Sequence, residues 1–201
     1  MSPVQTFKLL IDGETPSGEE YFDVINPATE EVIGRAPDAT RAQLDAAVAA
    51  ARRAFPGWKA IAFATRQAMV VAMGQRIADH LDELKRLLTA EQGKPLAEAE
   101  ADVLGAPHFC SLAATLTLPV EVHEDSEERL SATYRVPIGV VCAIAPWNYP
   151  VSNAFLKIAL ALVAGNTVVL KPSPFTPLTA LRHGELVRDA LPPGVLNILS
   201  G

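Results

Sequence analysis

The segment from Val140 to Leu199 alternates short apolar runs with helical stripes, a pattern that few folds accept. Val140-Val141-Cys142-Ala143-Ile144 reads as a continuous apolar strand. Pro150 to Ala164 carries Phe155, Ile158, Ala159 and Leu162 at helical spacing until Gly165-Asn166 stops it, and Thr167 to Leu170 is a second buried strand. A further helix begins near Pro177, in the first-turn position that proline favours, and runs to Ala190, before Pro192-Pro193-Gly194 and the strand Val195 to Leu199. Strand, helix, strand, helix, strand, with strands apolar on both faces, predicts a parallel sheet covered by helices. Right-handed crossovers then set the loops after the strands along one edge, where such sheets bind ligands.

The preceding part reads as strands and then helices. Phe7 to Ile11, Tyr21 to Ile25 and Glu30 to Ala36 are short strands, with a tight turn at Asp12-Gly13 and a break at Asn26-Pro27. Thr40 and Gln43 form a capping box for a helix that ends at the breaker Pro56-Gly57. Met69, Val70, Met73, Ile77, Leu81, Leu84 and Leu88 line one face of a second, longer helix ended by Gly93 and Pro95. A third helix, Leu96 to Leu116, contains Gly105 and Pro107, which predict a kink or a split. Glu121 to Arg129 is charged and turn-like, and Leu130 to Val141 reads as an exposed strand leading into a buried one. Apolar stripes of this kind are read as core packing.

Composition narrows the function. Seventeen Lys plus Arg against 23 Asp plus Glu give a net charge of -6, with the basic residues scattered, so a nucleic-acid surface is not expected. No basic segment followed by an apolar core opens the chain, and every apolar run is too short for a bilayer, so neither secretion nor membrane insertion is expected and the cytoplasm is the default. Cys110 and Cys142 sit in apolar contexts without basic neighbours and read as buried free thiols. His80, His108, His123 and His183 share no ligand spacing, so no metal site is expected.

Both loops at the sheet edge are rich in proline: Ala145-Pro146-Trp147-Asn148-Tyr149-Pro150 and Lys171-Pro172-Ser173-Pro174-Phe175-Thr176-Pro177. Proline fixes φ and stiffens a loop that has to position a group. The Asn148 amide is a neutral donor that can face a developing oxyanion; read on its own, it serves equally well to close a turn through its own backbone. Lys171 can set its ammonium near a phosphate or ribose hydroxyl, or be a solvated strand-end lysine. Lys157 is the only charge in its helix and either snorkels or meets a carboxylate from elsewhere. No G-x-G-x-x-G or Walker loop follows a strand.

These residues resemble a known family. GVVCAIAPWNYP, LVAGNTVVLKPSPFTPLTAL and LPPGVLNILSG, with INPATEEVIG and EQGKP before them, are similar to the first half of the NAD(P)-dependent aldehyde dehydrogenases over essentially the whole chain. The resemblance implies an α/β fold with a partial Rossmann-like βαβαβ sheet. It divides the chain into N-terminal strands and helices of the cofactor domain (1–123), an oligomerisation-arm strand (124–141) and the first part of the NAD(P)-binding domain (142–201). It implies that Asn148, with a backbone N–H at the catalytic cysteine, stabilises the oxyanion of the thiohemiacetal and thioester. It implies that Ile144, Ala145, Pro146 and Trp147 line the cofactor cleft, that Lys171 contacts the adenosine ribose with Ser173 and Pro174 beside it, that Lys157 serves the proton path of the general-base glutamate, and that Tyr149 lines the substrate tunnel. The expected partners are an aldehyde and further copies of the full-length chain.

Two departures from the family pattern matter. Pro174 stands where many NAD-preferring members have a ribose-binding glutamate, which leaves NAD and NADP equally open. The chain also stops at Gly201, and the resemblance places the nucleophilic cysteine, the general base and the catalytic domain beyond it, so that these residues alone are expected to be inactive and poorly soluble, with an unpaired strand at Val195 to Leu199. The alternative reading is a non-catalytic nucleotide-binding or subunit-interaction module.

Overall fold

The structure, a computed structural model, describes residues 4–201; the first three residues of the stretch read for a leader lie outside the described residues. It is a mixed α/β chain whose strands form three sheets among the described residues.

The N-terminal sheet has β1 (Gln5–Thr6), β2 (Glu20–Ile25) and β3 (Val32–Asp38) in the order β1-β3-β2, with β1 parallel and β2 antiparallel to β3. Asp12 and Gly13, at φ of 55° and 80°, turn the chain between the bridged residues Ile11 and Glu14, as the Asp-Gly signal predicts. The expected strand from Phe7 to Ile11 is instead an extended segment that bridges the third sheet through Leu10.

Four helices follow: α1 (Arg41–Ala60), α2 (Phe63–Ala78), α3 (Leu81–Gln92) and α4 (Leu96–Thr115). The capping box at Thr40 and Gln43 is present. Contrary to expectation, α1 runs through Pro56 to Ala60. The turn after the proline is anchored by Trp58, which is buried and donates from Nε1 to the Leu162 carbonyl at 3.0 Å. The expected single helix over Met69 to Leu88 is two, because His80 leaves helical geometry and bonds back through Nδ1 to the Arg76 carbonyl at 2.9 Å. The apolar stripe nonetheless continues, since Val70, Met73, Ile77, Leu84 and Leu88 are all buried. Asp82 and Glu83, in the first turn of α3, are the start signal that the stripe concealed. Gly93 stops α3 at φ of 86°. Of the kink or split expected in α4, the split does not occur, since one helix runs through Gly105 and Pro107; Gly105 serves close packing, because a β-carbon there would lie 2.2 Å from the Ser152 hydroxyl.

The charged stretch after α4 is not a turn but most of a hairpin, β4 (Glu121–Asp125) with β5 (Leu130–Thr133), antiparallel and closed by a bond from the Arg129 amide to the Ser126 hydroxyl at 3.1 Å. Its residues are almost all exposed, so no burial pattern marked it in the sequence. From Tyr134 to Gly139 the chain leaves strand geometry. Asn166 gathers it back by accepting from the Ile138 and Gly139 amides at 2.8 and 3.1 Å.

The third sheet holds β6 (Val140–Ile144), β7 (Thr167–Lys171) and β8 (Leu196–Ile198), all parallel, in the order β6-β7-β8, with α5 (Pro150–Val163) and α6 (Leu178–Val187) as crossovers. Pro150 occupies the first turn of α5 as predicted, whereas Pro177 is the N-cap of α6, which ends before Ala190. Two expectations about burial fail. β6 is an edge strand among the described residues and exposes Cys142 and Ile144, so Cys142 is not a buried thiol; Cys110 is. Conversely, the outer edge of β8 is not unpaired, because Leu10 and Ile198 exchange backbone hydrogen bonds of 3.0 and 2.8 Å.

Candidate functional site

The loops after β6 and β7 leave the sheet side by side. Ile144 is paired with Lys171, and the Ala145 amide donates to the Lys171 carbonyl at 3.1 Å. Read along the sheet, the order β8-β7-β6 runs third, second, first, which is one half of a doubly wound sheet. In a sheet of that kind the order reverses beside the first strand, and the ligand crevice opens there. Asn148 stands on the loop that follows that strand.

The Asn148 side chain is exposed, and its amide has no hydrogen-bond partner among the described residues, so it does not close a turn. What is held is its backbone. The Asn148 carbonyl accepts from Lys94 Nζ at 2.9 Å, and the same ammonium lies 4.4 Å from the centre of the Tyr149 ring. The Tyr149 carbonyl in turn accepts from both the backbone and side-chain amides of Asn153, each at 3.0 Å. Lys157 continues this line by donating to the Asn153 carbonyl at 3.3 Å. It meets no carboxylate among the described residues and makes no hydrogen bond to Asn148.

In the second loop the Ser173 hydroxyl accepts from the Phe175 amide and the Ser173 carbonyl from the Thr176 amide, both at 3.2 Å, a tight turn with Pro174 in its second position. Lys171 is half-buried and has no salt-bridge partner among the described residues. Trp147 and Phe175 lean on each other across the two loops and, with Ile25, Glu91 and Thr176, line a shallow hollow of about 390 Å³. A larger hollow of about 660 Å³ touches none of these loops; its charged walls are largely neutralised by pairs such as Arg76–Asp189 and Arg182–Glu185.

Sequence reasoning missed three groups. Glu91 accepts from the amides of Leu178 and Thr179 at 2.7 and 3.0 Å and so caps α6 from another helix; burial raises its carboxyl from the ordinary 4.5 to about 7, against those hydrogen bonds. Asp102 accepts from the Ser152 amide at 2.8 Å and from Lys94 at 3.0 Å. A lone carboxylate between the apolar positions Ala99, Val103 and Ala106 was the available signal for Asp102, and Gly93 in the helix-ending conformation was the signal for Lys94.

The profile described as "Aldehyde dehydrogenase family" matches residues 14–201. The chain belongs to this family. It is 44% identical over its whole length to a probable aldehyde dehydrogenase from a Pseudomonas species, covering 41% of that protein. It is 39% identical to the mitochondrial acylating methylmalonate-semialdehyde/malonate-semialdehyde dehydrogenase of Rattus norvegicus, covering 38% of it. The chain therefore spans about two fifths of the length of the curated relatives it matches. Among solved structures, an NADP-dependent enzyme of E. coli superposes with a TM-score of 0.93 at 35% identity, over 100% of this chain and 43% of its own. A mutant of aldehyde dehydrogenase C from Pseudomonas syringae, complexed with NAD+ and octanal, superposes at 0.89 with 37% identity, over 98% of this chain and 41% of its own.

Proposed function

We propose that these residues form the cofactor-binding and oxyanion-stabilising part of an enzyme that oxidises an aldehyde to a carboxylic acid with NAD or NADP. The observation that carries the reading is the free, exposed Asn148 amide, on a loop whose backbone is fixed, at the tip of the first strand of a third-second-first sheet.

The residues present fit a dinucleotide. Lys171 offers a cation without a carboxylate partner among the described residues, Trp147 and Phe175 offer exposed ring surface, and the Glu91 carboxylate is engaged on α6. Ile144, Ala145, Pro146 and Trp147 would line the cleft, with Lys171 and Pro174 at the ribose; the Ser173 hydroxyl holds the turn that places Pro174. A nicotinamide held in this cleft would supply the hydride acceptor. Asn148 donates its amide N–H to the carbonyl oxygen as negative charge gathers there, and Lys157 steadies the first turns of α5 beside a proton path. Tyr149, half-exposed beside Asn148, is placed to face substrate. The attacking thiolate lies outside these residues: Cys110 is buried, with its thiol pushed up to about 12, and Cys142 lies on the exposed edge strand rather than on the loop.

The exposed hairpin and the segment after it favour self-association of the full-length protein, since Val122, Leu130, Tyr134, Val136 and Ile138 are 56–87% exposed. Two unbridged cysteines suit a reducing compartment such as the cytoplasm. No helix among the described residues is long and apolar enough to cross a membrane. The deciding experiment is aldehyde-dependent NAD(P)H formation by the full-length protein and its Asn148→Ala variant. Loss of an oxyanion donor is expected to cost about 2.7–4 kcal/mol in the barrier. Unchanged turnover with chemistry limiting would remove Asn148 from this role.

A further inference from the structure

Helix α5 begins without a cap of its own, because Tyr149 occupies the N-cap and makes no side-chain hydrogen bond to the first turn. The cap comes from α4. Asp102 Oδ1 accepts from the Ser152 amide at 2.8 Å, and the Asp102 carbonyl accepts from the Ser152 hydroxyl at 3.1 Å. Oδ2 of the same carboxylate holds Lys94 at 3.0 Å, in an ion pair whose side chains are 0% and 8% exposed. Lys94 then reaches the Asn148 carbonyl and the face of the Tyr149 ring. One buried ion pair thus grips positions 148, 149 and 152.

We propose that Lys94 and Asp102 are positioning residues for Asn148, a role that rests on the reading of Asn148 as the oxyanion donor. Fixing the carbonyl of Asn148 and the amide three residues after Tyr149 sets the peptide plane from which the Asn148 side chain projects. The side-chain amide of Asn148 has no hydrogen-bond partner among the described residues. The clamp is rigid at its origin. Lys94 sits between Gly93, held at φ of 86°, and Pro95, and α4 packs so closely on α5 that a β-carbon at Gly105 would lie 2.2 Å from the Ser152 hydroxyl. A displaced donor is costly to rate, since about 1 Å of misplacement can cost about a hundredfold.

The test is a double-mutant cycle in the full-length protein. Lys94→Met strands the Asp102 charge in a buried site, so the paired change Lys94→Met/Asp102→Asn is the variant to use: it removes both charges and keeps an acceptor for the Ser152 amide. This pair is expected to lower kcat by about tenfold or more, with aldehyde KM and cofactor Kd within about twofold. In the Asn148→Ala background it is expected to lower kcat by less than about twofold, because a residue that acts through Asn148 has nothing left to position. Amide hydrogen exchange over 148–153 is expected to quicken in the paired variant, with or without cofactor. An equal fall of kcat in both backgrounds, or no fall where Asn148→Ala alone is slow, overturns the positioning role. If Asn148→Ala turns over normally, it is instead the oxyanion reading that fails, and the positioning role with it.

Discussion

The Trp147 and Phe175 rings meet edge to face, with centroids 6.2 Å apart and planes at 74°, and tie the loop after β6 to the loop after β7. Both rings remain largely exposed, at 55% and 70%. The contact therefore links the two loops while leaving ring surface exposed. An aromatic pair of this geometry contributes about 0.5–1.5 kcal/mol beyond its buried area. Phe175→Ala is expected to weaken dinucleotide binding several-fold with little change in unfolding temperature. Isothermal titration of the full-length protein checks this; unaltered cofactor affinity would mean that the cleft is built elsewhere.

Under the proposed reading, Pro174 is the position at which cofactor preference can be changed. It is exposed, in the second position of a turn that begins two residues after Lys171, and no carboxylate pairs with that lysine among the described residues. Pro174→Glu would add an acceptor for ribose hydroxyls and a charge opposed to a 2′-phosphate. At about 4 Å and an effective dielectric near that of a protein surface, two like charges repel by about 4 kcal/mol, and less with solvent screening. The expected result is NADP binding weakened by about tenfold or more and NAD binding unchanged or tighter. Parallel titrations with the two cofactors read the outcome.

Much of this arrangement was legible in the sequence, and the failures share a physical cause. The strand and helix order after Val140 and both proline loops were readable because proline, glycine and apolar periodicity are local signals. The break at His80 was hidden because the stripe from Val70 to Leu88 keeps its period across it. Pro56 failed to end α1 because Trp58 is anchored by a hydrogen bond to a helix more than a hundred residues away. β6 read as buried on both faces because its residues are apolar, yet among the described residues it is an edge strand that exposes Cys142 and Ile144. At the candidate site, the two loops that carry Asn148, Trp147 and Lys171 were readable in the sequence. Glu91, Lys94 and Asp102 were not, because each acts on a segment distant in the chain, and only the fold brings the pairs together.

Glu91 gives stability a defined pH dependence. Its folded carboxyl titrates near 7 rather than 4.5, chiefly because burial disfavours the charge. The folded state therefore holds this proton more tightly than the unfolded chain, so the group's contribution is fully present below pH 4.5 and is lost as pH rises through about 7. Glu91→Gln cannot titrate. It exchanges one acceptor for a donor facing the amides of Leu178 and Thr179, a loss that is the same at every pH. The stability of the variant relative to the native protein is thus expected to improve steadily from pH 4.5 to about 7 and then level off. Denaturant midpoints of both proteins across that range measure it, and a difference independent of pH would show that burial does not raise this carboxyl.

The two thiols should behave oppositely. Cys110 is packed inside α4, where a β-carbon at Gly74 would lie 2.7 Å from its own, and burial pushes its thiol up to about 12. Reaction with an alkylating agent needs both thiolate and access, and Cys110 has neither at neutral pH. Cys142 is exposed on β6, three residues before Ala145, with its side chain off the loop that carries Asn148. Iodoacetamide applied to these 201 residues is expected to label Cys142 and spare Cys110, as peptide mass spectrometry would show. In the full-length protein the edge of β6 is open to a further strand, which would slow labelling of Cys142 without making it a nucleophile. Cys142→Ser is accordingly expected to keep turnover within about twofold, because the substitution changes one atom on a strand and removes no donor from the site. A collapse of turnover in a folded Cys142→Ser protein would put the reacting thiolate inside this part of the chain after all, and the division of labour between the Asn148 loop and the rest of the enzyme would have to be redrawn.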